Sequence, residues 1–176
     1  MTIESFQSKQ PALGKRVFIA ESAYVNGNVT IGDDSSIWPM VVIRGDMNWI
    51  KIGARTSVQD GSVLHTTHAG PHNPQGYSLS IGDQVTIGHN CCLHGCTIGN
   101  QVLIGIGSIV LDGAIVADKV VIAAGSLVPP GKQLESGYLY KGSPVKQARA
   151  LTAQELNFFV YTTDHYVKTK SHYLAK

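Results

Sequence analysis

The sequence of 176 residues predicts an all-β parallel solenoid built of hexapeptide repeats and followed by a C-terminal α-helix. The main observation is that aliphatic residues recur at six-residue steps through most of the chain. A small or β-branched residue follows most of them four positions later, as at Thr56 and Ser62. The aliphatic repeat positions are Ile19, Val25, Ile31, Ile37, Ile43, Ile52, Val58, Leu64, Ile81, Ile87, Leu93, Ile98, Ile104, Val110, Val116, Ile122 and Val128.

A period of six fits neither the 3.6-residue helical repeat nor the two-residue alternation of a simple hairpin. It fits a three-sided prism in which each side uses one hexapeptide, and each coil adds its aliphatic corners to a continuous core. We therefore predict a β-helix domain over 10–130, a connecting segment over 131–150 and a helix over 151–173. Glycine follows several corners, as at Gly53 and Gly82, and we expect these glycines to adopt positive φ at tight turns.

The predicted helix begins with Thr152 and Glu155, which have the spacing of a capping box. Lys168 and Lys170 lie near its end, where positive charge complements the helix macrodipole. Such a helix is expected to pack along the prism or against a neighbouring subunit.

Composition excludes several classes of function. The formal net charge is +2, so there is no electrostatic case for a nucleic-acid partner or an anionic membrane surface. No apolar run approaches the length of a membrane span, and the first residues lack the apolar core of a signal peptide. The three cysteines are odd in number and crowded together, which argues against a disulfide framework. We expect a cytoplasmic protein.

Stacking the predicted coils places Arg44, His65 and His94 in one vertical column, because each follows the third corner of its coil. Adjacent coils are about 4.8 Å apart, so the two imidazoles can converge on one metal ion. Asp60 and His89 form a second column on another face. Three chains packed side by side would bring His89 of one subunit to His65 and His94 of the next, with Arg44 opposite Asp60 as an intersubunit ion pair.

Other residues leave alternatives open. Cys92 and Cys96 flank His94 and could be soft ligands, although their spacing is not that of a structural zinc site. His68 and His72 lie in the insertion between Leu64 and Ile81, where they could relay protons or simply be solvated.

The repeats closely resemble those of the gamma-class carbonic anhydrases and their bacterial homologues. The residues that carry the resemblance are Arg44-Gly45-Asp46, Gln59-Asp60-Gly61, His65, Ile87-Gly88-His89-Asn90, Leu93-His94-Gly95-Cys96 and the Tyr140-x-Gly142-x-Pro144 segment. The resemblance implies a left-handed coil and a homotrimer with zinc or iron sites at the subunit interfaces. It also implies that His65, His89 and His94 are the ligands.

The resemblance places further residues beside the metal: Arg44, Asp46, Gln59, Asp60 and, from the helix, Tyr161. Three features depart from the archetypal enzymes. Met47 stands where they have a glutamate, Thr163 replaces an asparagine, and the stretch 66–80 carries no acidic residue that could serve as their proton shuttle.

The expected activity is that of a zinc-type carbonic anhydrase, a lyase in which metal-bound hydroxide attacks carbon dioxide to give bicarbonate. Fe²⁺ or Co²⁺ also suits three imidazoles and a water. Gln59 would orient the hydroxide, and weak or buffer-dependent turnover is expected because the acidic shuttle is missing. The alternatives are a hexapeptide-repeat acyltransferase and a metal-binding or assembly scaffold without turnover.

Overall fold

Short strands stack in register to form the walls of a parallel β-solenoid in the computed structural model, which describes residues 2–175. In chain order the strands are Thr2–Glu4 (β1), Ala12–Leu13 (β2), Phe18–Ile19 (β3), Tyr24–Ile31 (β4), Ser36–Ile37 (β5), Val42–Ile52 (β6), Ser57–Val58 (β7), Val63–His65 (β8), Leu79–Ile81 (β9), Thr86–Ile87 (β10), Cys92–His94 (β11), Thr97–Ile98 (β12), Leu103–Ile104 (β13), Ile109–Val110 (β14), Ile115–Val116 (β15), Val121–Ile122 (β16), Leu127–Val128 (β17), Gln133–Leu134 (β18), Tyr138–Lys141 (β19) and Lys146–Ala150 (β20). The helix α1 spans Ala153–Leu174. The predicted fold class, a parallel solenoid of hexapeptide repeats with a C-terminal helix, is confirmed; its left-handedness stays a prediction.

The aliphatic corners stack as the six-residue spacing predicts. Ile52 is paired with Ile81, Val58 with Ile87, and Leu64 with Leu93. All six side chains are at most 1% exposed, so each coil closes the apolar surface of the coil beside it. One hydrogen-bonded path runs β17-β14-β11-β8-β6-β9-β12-β15-β18, and a second runs β20-β19-β16-β13-β10-β7-β5-β3. The long strand β6 joins two walls because it pairs with both β8 and β9.

Parallel strand pairing continues past residue 130, the predicted end of the β-helix domain. Leu134 of β18 pairs with Val116, and Tyr140 of β19 pairs with Ile122. Both residues keep the six-residue step after Val128, and the aromatic ring of Tyr140 takes a corner that earlier coils fill with an aliphatic side chain. The antiparallel strand β20 then lies beside β19 and leads to the helix. At the other end, β1 pairs in parallel with β4, before residue 10.

The corner glycines are required for a different reason from the one predicted. The glycines that follow first corners, such as Gly53, are not among the residues with positive φ. A Cβ added at Gly53 would lie 2.5 Å from the backbone carbon of Gly82 in the next coil. Close approach of stacked backbones therefore selects glycine here. The left-handed backbone falls instead on Asp34, Arg55, Gln84, Gln101 and Lys119.

The helix α1 begins as predicted. Thr152 is the N-cap, its side chain accepts from the Glu155 backbone N–H, and the Glu155 carboxylate accepts from the Thr152 backbone N–H. This reciprocal capping box satisfies two donors that the first helical turn leaves free. Within residues 2–175, no helix combines the length and hydropathy that crossing a bilayer requires.

An aromatic cluster and a buried lysine attach α1 to the solenoid. The Trp38 ring packs edge-on against Tyr166 and Tyr173, with centroids 6.0 and 5.4 Å away. Lys170 is 1% exposed, and its Nζ donates to the Arg16 carbonyl at 2.5 Å and to Asp34 Oδ1 at 2.8 Å. The sequence placed Lys170 as a macrodipole partner in the last turns; the structure makes it a buried tether between helix and coil.

Candidate metal centre

The first predicted column is present. His94 on β11 pairs directly with His65 on β8, and Arg44 follows Ile43, the partner of Leu64, on β6. Because parallel strands in register project equivalent side chains on the same side, the three side chains lie one above the other. Two imidazoles and one guanidinium therefore stand on a single face of the solenoid.

The two imidazoles present nitrogens to each other. His65 Nδ1 and His94 Nε2 are 3.1 Å apart, with ring centroids separated by 5.1 Å. Two nitrogens bound to a tetrahedral ion at ~2.0–2.1 Å each would lie about 3.3 Å apart. The observed spacing fits a shared cation, and neutral imidazole is a ligand that suits zinc, iron and cobalt.

Polar partners surround the outer nitrogen of His65. Its Nε2 lies 3.0 Å from Arg44 Nη2 and 3.1 Å from Asp46 Oδ1, and Arg44 Nη1 is 3.4 Å from Asp46 Oδ2. Burial lowers the pKa of His65 below its usual value, and the nearby Arg44 adds to that shift while Asp46 opposes it. The neutral form, which is the one that binds metal, is favoured.

The outer nitrogen of His94 contacts a carboxylate that sequence reasoning missed. His94 Nδ1 lies 2.6 Å from Asp112 Oδ1, and Asp112 Oδ2 accepts a hydrogen bond from Thr67 Oγ1 at 2.8 Å. Counting coils does not find it, because Leu93 pairs with Val110, so Leu111 is the residue stacked on His94 and Asp112 lies one position further on.

The second predicted column is also present, and it is separate. His89 Nδ1 lies 3.0 Å from Asp60 Oδ2, and both side chains are nearly half exposed. Among residues 2–175 of one chain, no group of three or more His, Cys, Asp or Glu side chains is arranged so that it could hold a metal ion. A single chain therefore brings His65 to His94 but leaves His89 on its own face.

Two further predicted site residues lie apart from each other, Gln59 next to Asp60 of the second column and Tyr161 on the helix. Gln59 is 6% exposed and its Nε2 donates to the Tyr166 hydroxyl at 2.7 Å. Tyr161, the helix tyrosine chosen from the sequence, is 65% exposed and contacts Phe158 and His165. Within one chain the helix tyrosine at Gln59 is thus Tyr166, which lies five residues further on in α1.

Arg44 and Asp60, predicted to pair between subunits, each have another partner within one chain. Arg44 contacts His65 and Asp46, whereas Asp60 contacts His89. The intersubunit ion pair stays a prediction.

The structure shows how far the cysteines near His94 and the two loop histidines are buried. Cys96 is 1% exposed and burial raises the pKa of its thiol, so it packs as an apolar side chain. Cys92 is partly buried, and burial raises its thiol pKa as well. His68 and His72 are exposed on the insertion loop.

Comparison with known proteins identifies the repeat family. The signature of the bacterial transferase hexapeptide (six repeats) matches residues 11–45. Protein YrdA of Escherichia coli K12 is 58% identical over 93% of this chain and 89% of its own length. Carbonic anhydrase of Geobacillus kaustophilus is 39% identical over 98% of this chain and 91% of that protein. Mitochondrial gamma carbonic anhydrase 2 of Arabidopsis thaliana is 39% identical over 94% of this chain and 59% of its own length.

The chain belongs to the gamma-class carbonic anhydrase family. A solved structure from Anaplasma phagocytophilum, described as a hexapeptide transferase family protein, superimposes on it with a TM-score of 0.91. The two chains are 37% identical, and the match covers 98% of each. A protein described as a member of the hexapeptide transferase family therefore shares the solenoid fold of this chain.

Proposed function

We propose that this protein is a zinc-dependent carbonic anhydrase that hydrates carbon dioxide to bicarbonate. The observation that supports it is the pair of imidazoles on one face, whose inner nitrogens approach to 3.1 Å. The outer nitrogens meet Asp112, Arg44 and Asp46, an arrangement that leaves the inner pair for an ion. Relatives named carbonic anhydrase or probable carbonic anhydrase, which match this chain over nine-tenths or more of their own length, support the same activity.

Each site would be completed by a second subunit of a homotrimer. One chain supplies His65 and His94, and the neighbour supplies His89, whose Nδ1 already faces Asp60. This contact leaves His89 Nε2 for the ion, just as Asp112 leaves Nε2 of His94. Three histidines with one open position are the ligand set of a catalytic zinc site, and Fe²⁺ or Co²⁺ would suit the same donors.

The ion would supply nucleophilic hydroxide at neutral pH, because coordination lowers the pKa of water to about 7. This chain's residues would do the rest. Gln59, fixed by its hydrogen bond to Tyr166, would orient the nucleophile. Arg44 and Asp46 hold His65, while Tyr161 would reach a site only across the subunit boundary.

Proton removal is the step for which this chain lacks an acidic group. The segment 66–80 contains no Asp or Glu, so exposed His68, His72 or an external buffer would have to accept the proton. Imidazole has an ordinary pKa of about 6.5, which suits proton transfer near neutral pH.

Stopped-flow hydration of carbon dioxide tests this proposal directly. We expect the zinc-loaded protein to be active and its turnover to rise with imidazole buffer concentration, because the buffer replaces the missing shuttle. The chelated protein is the matched control and should show only the uncatalysed rate. Absence of any metal-dependent rate at high imidazole would overturn the proposal.

A transferase is the second candidate, since the Anaplasma relative carries that family description. Such an enzyme needs one catalytic histidine beside an acyl donor, and it would leave the close approach of His65 and His94 without a role. Calorimetry with acyl-coenzyme A separates the two, and we expect no binding. A metal-binding scaffold without turnover would retain zinc and fail the hydration assay.

A further inference from the structure

We propose that Asp112 is a positioning residue for His94, and that Thr67 holds Asp112 so that the insertion loop supports the metal site. The inference rests on the proposed zinc site, because it assigns which nitrogen of His94 faces the ion. It concerns a carboxylate and a hydroxyl that neither the sequence reasoning nor the resemblance singled out.

The geometry shows a continuous polar chain. Thr67 Oγ1 donates to Asp112 Oδ2 at 2.8 Å, and Asp112 Oδ1 lies 2.6 Å from His94 Nδ1. The Asp112 and His94 side chains are 29% and 30% exposed, so both are largely shielded from water. A hydrogen bond from an imidazole N–H to a carboxylate is charge-assisted, which makes it shorter and stronger than a neutral one.

The carboxylate of Asp112 sets the direction of the hydrogen bonds at His94. An ionised carboxylate can only accept. His94 Nδ1–H therefore donates to Asp112, and His94 Nε2 accepts from His65 Nδ1–H. His94 is held in the tautomer that leaves Nε2 unprotonated and directed at His65.

His65 differs from His94 in this respect. Its Nε2 lies beside a donor, Arg44, and an acceptor, Asp46. Either protonation state of that nitrogen has a partner. The tautomer of His65 can therefore adapt when its Nδ1 proton is displaced, whereas the tautomer of His94 is set by Asp112.

The base of the insertion loop is anchored to the same coils. Thr67 and Tyr77 exchange two backbone hydrogen bonds, at 2.9 and 3.0 Å. Tyr77 covers Gly95 and Gly113, where an added Cβ would come 2.6 Å and 3.0 Å from its atoms. The loop thus holds the Thr67 hydroxyl against Asp112, with the Tyr77 side chain packed over the two glycines.

The test combines ¹⁵N NMR of the histidine rings in the metal-free full-length protein with zinc affinity. In the wild type we expect His94 as the Nδ1–H tautomer, its signals assigned by their loss in His94→Gln. Asp112→Ala should shift His94 toward the Nε2–H form and weaken zinc binding by about 10- to 100-fold, the usual effect of losing such a partner. Asp112→Asn keeps an oxygen acceptor and should restore most of both properties, and Thr67→Val should cause a smaller shift in the same direction.

Asp118→Ala is the matched control, because Asp118 accepts the Asn100 backbone N–H on another coil corner and lies outside the site. It should leave the His94 tautomer and zinc affinity unchanged. An unchanged tautomer together with zinc affinity within twofold of wild type in Asp112→Ala would overturn the inference. If the wild type bound no zinc, the proposed function would fail, while the tautomer readout would still decide the role of Asp112.

Discussion

His89→Ala is expected to remove zinc from every site and to lower kcat/KM for carbon dioxide hydration by more than about 100-fold, since losing even an outer partner of a ligand costs 10- to 100-fold. In one chain His89 contacts Asp60 and is 44% exposed, apart from His65 and His94. Such a surface histidine would be dispensable if one subunit held the ion alone. A large loss of zinc and activity in His89→Ala would therefore indicate that His89 binds the metal in a neighbouring subunit's site.

Zinc content by elemental analysis and stopped-flow hydration are the two readouts. His172→Ala is the control, because His172 is exposed in the last turn of α1, outside the proposed site, and it should keep both zinc and activity. Circular dichroism should show that His89→Ala remains folded. Full zinc loading in that variant would contradict the proposed ligand set.

Lys170→Ala is expected to lower the free energy of unfolding by about 3 kcal/mol, near the lower end for breaking a buried ion pair, because Arg16 still pairs with Asp34. The Lys170 side chain is 1% exposed, that of Asp34 is 15% exposed, and their atoms are 2.8 Å apart. Removing the lysine leaves the Asp34 carboxylate with one cation and empties the space that the lysine stem fills between helix and coil. Chemical denaturation at fixed protomer concentration measures the difference.

The same pair gives this stability a defined pH dependence. Arg16, and then Lys170, lower the pKa of Asp34 well below its ordinary value, against the opposing effect of burial. A lowered carboxyl pKa contributes stability above the ordinary pKa of about 4 that is lost as the pH falls toward the folded-state pKa. The difference in the free energy of unfolding between wild type and Lys170→Ala should therefore become smaller below about pH 4. Lys168→Ala, at an exposed position two residues earlier, should show neither the loss nor the pH effect.

The solenoid could be predicted from the sequence because every coil buries aliphatic residues at the same six-residue interval. Ile52, Val58 and Leu64 recur at the interval that one side of the prism needs, so the register of later coils follows by counting. The columns of His65 with His94 and of Asp60 with His89 came from the same counting, and the structure shows both. The six-residue step also reaches Leu134 and Tyr140, but Pro129 and Pro130 concealed it.

Contacts between distant elements could not be counted in this way. Lys170 and Asp34 are 136 positions apart, and only the docking of α1 brings them together. The partner of Gln59 depends on the rotation of the same helix, which places the Tyr166 hydroxyl at its amide. Gly53 lies at a corner, as predicted, but glycine is required there because the backbone of Gly82 in the next coil approaches closely. An argument from the local turn alone does not include that contact.

Zinc content in mixed assemblies of His65→Ala and His89→Ala chains tests shared metal sites most directly. Each variant alone should bind no zinc. If a site takes His65 and His94 from one chain and His89 from the next, unfolding and refolding an equal mixture should restore about a quarter of the wild-type zinc, since every mixed ring of three has one intact interface. No recovery of zinc in assemblies shown to contain both chains would contradict a site shared between subunits.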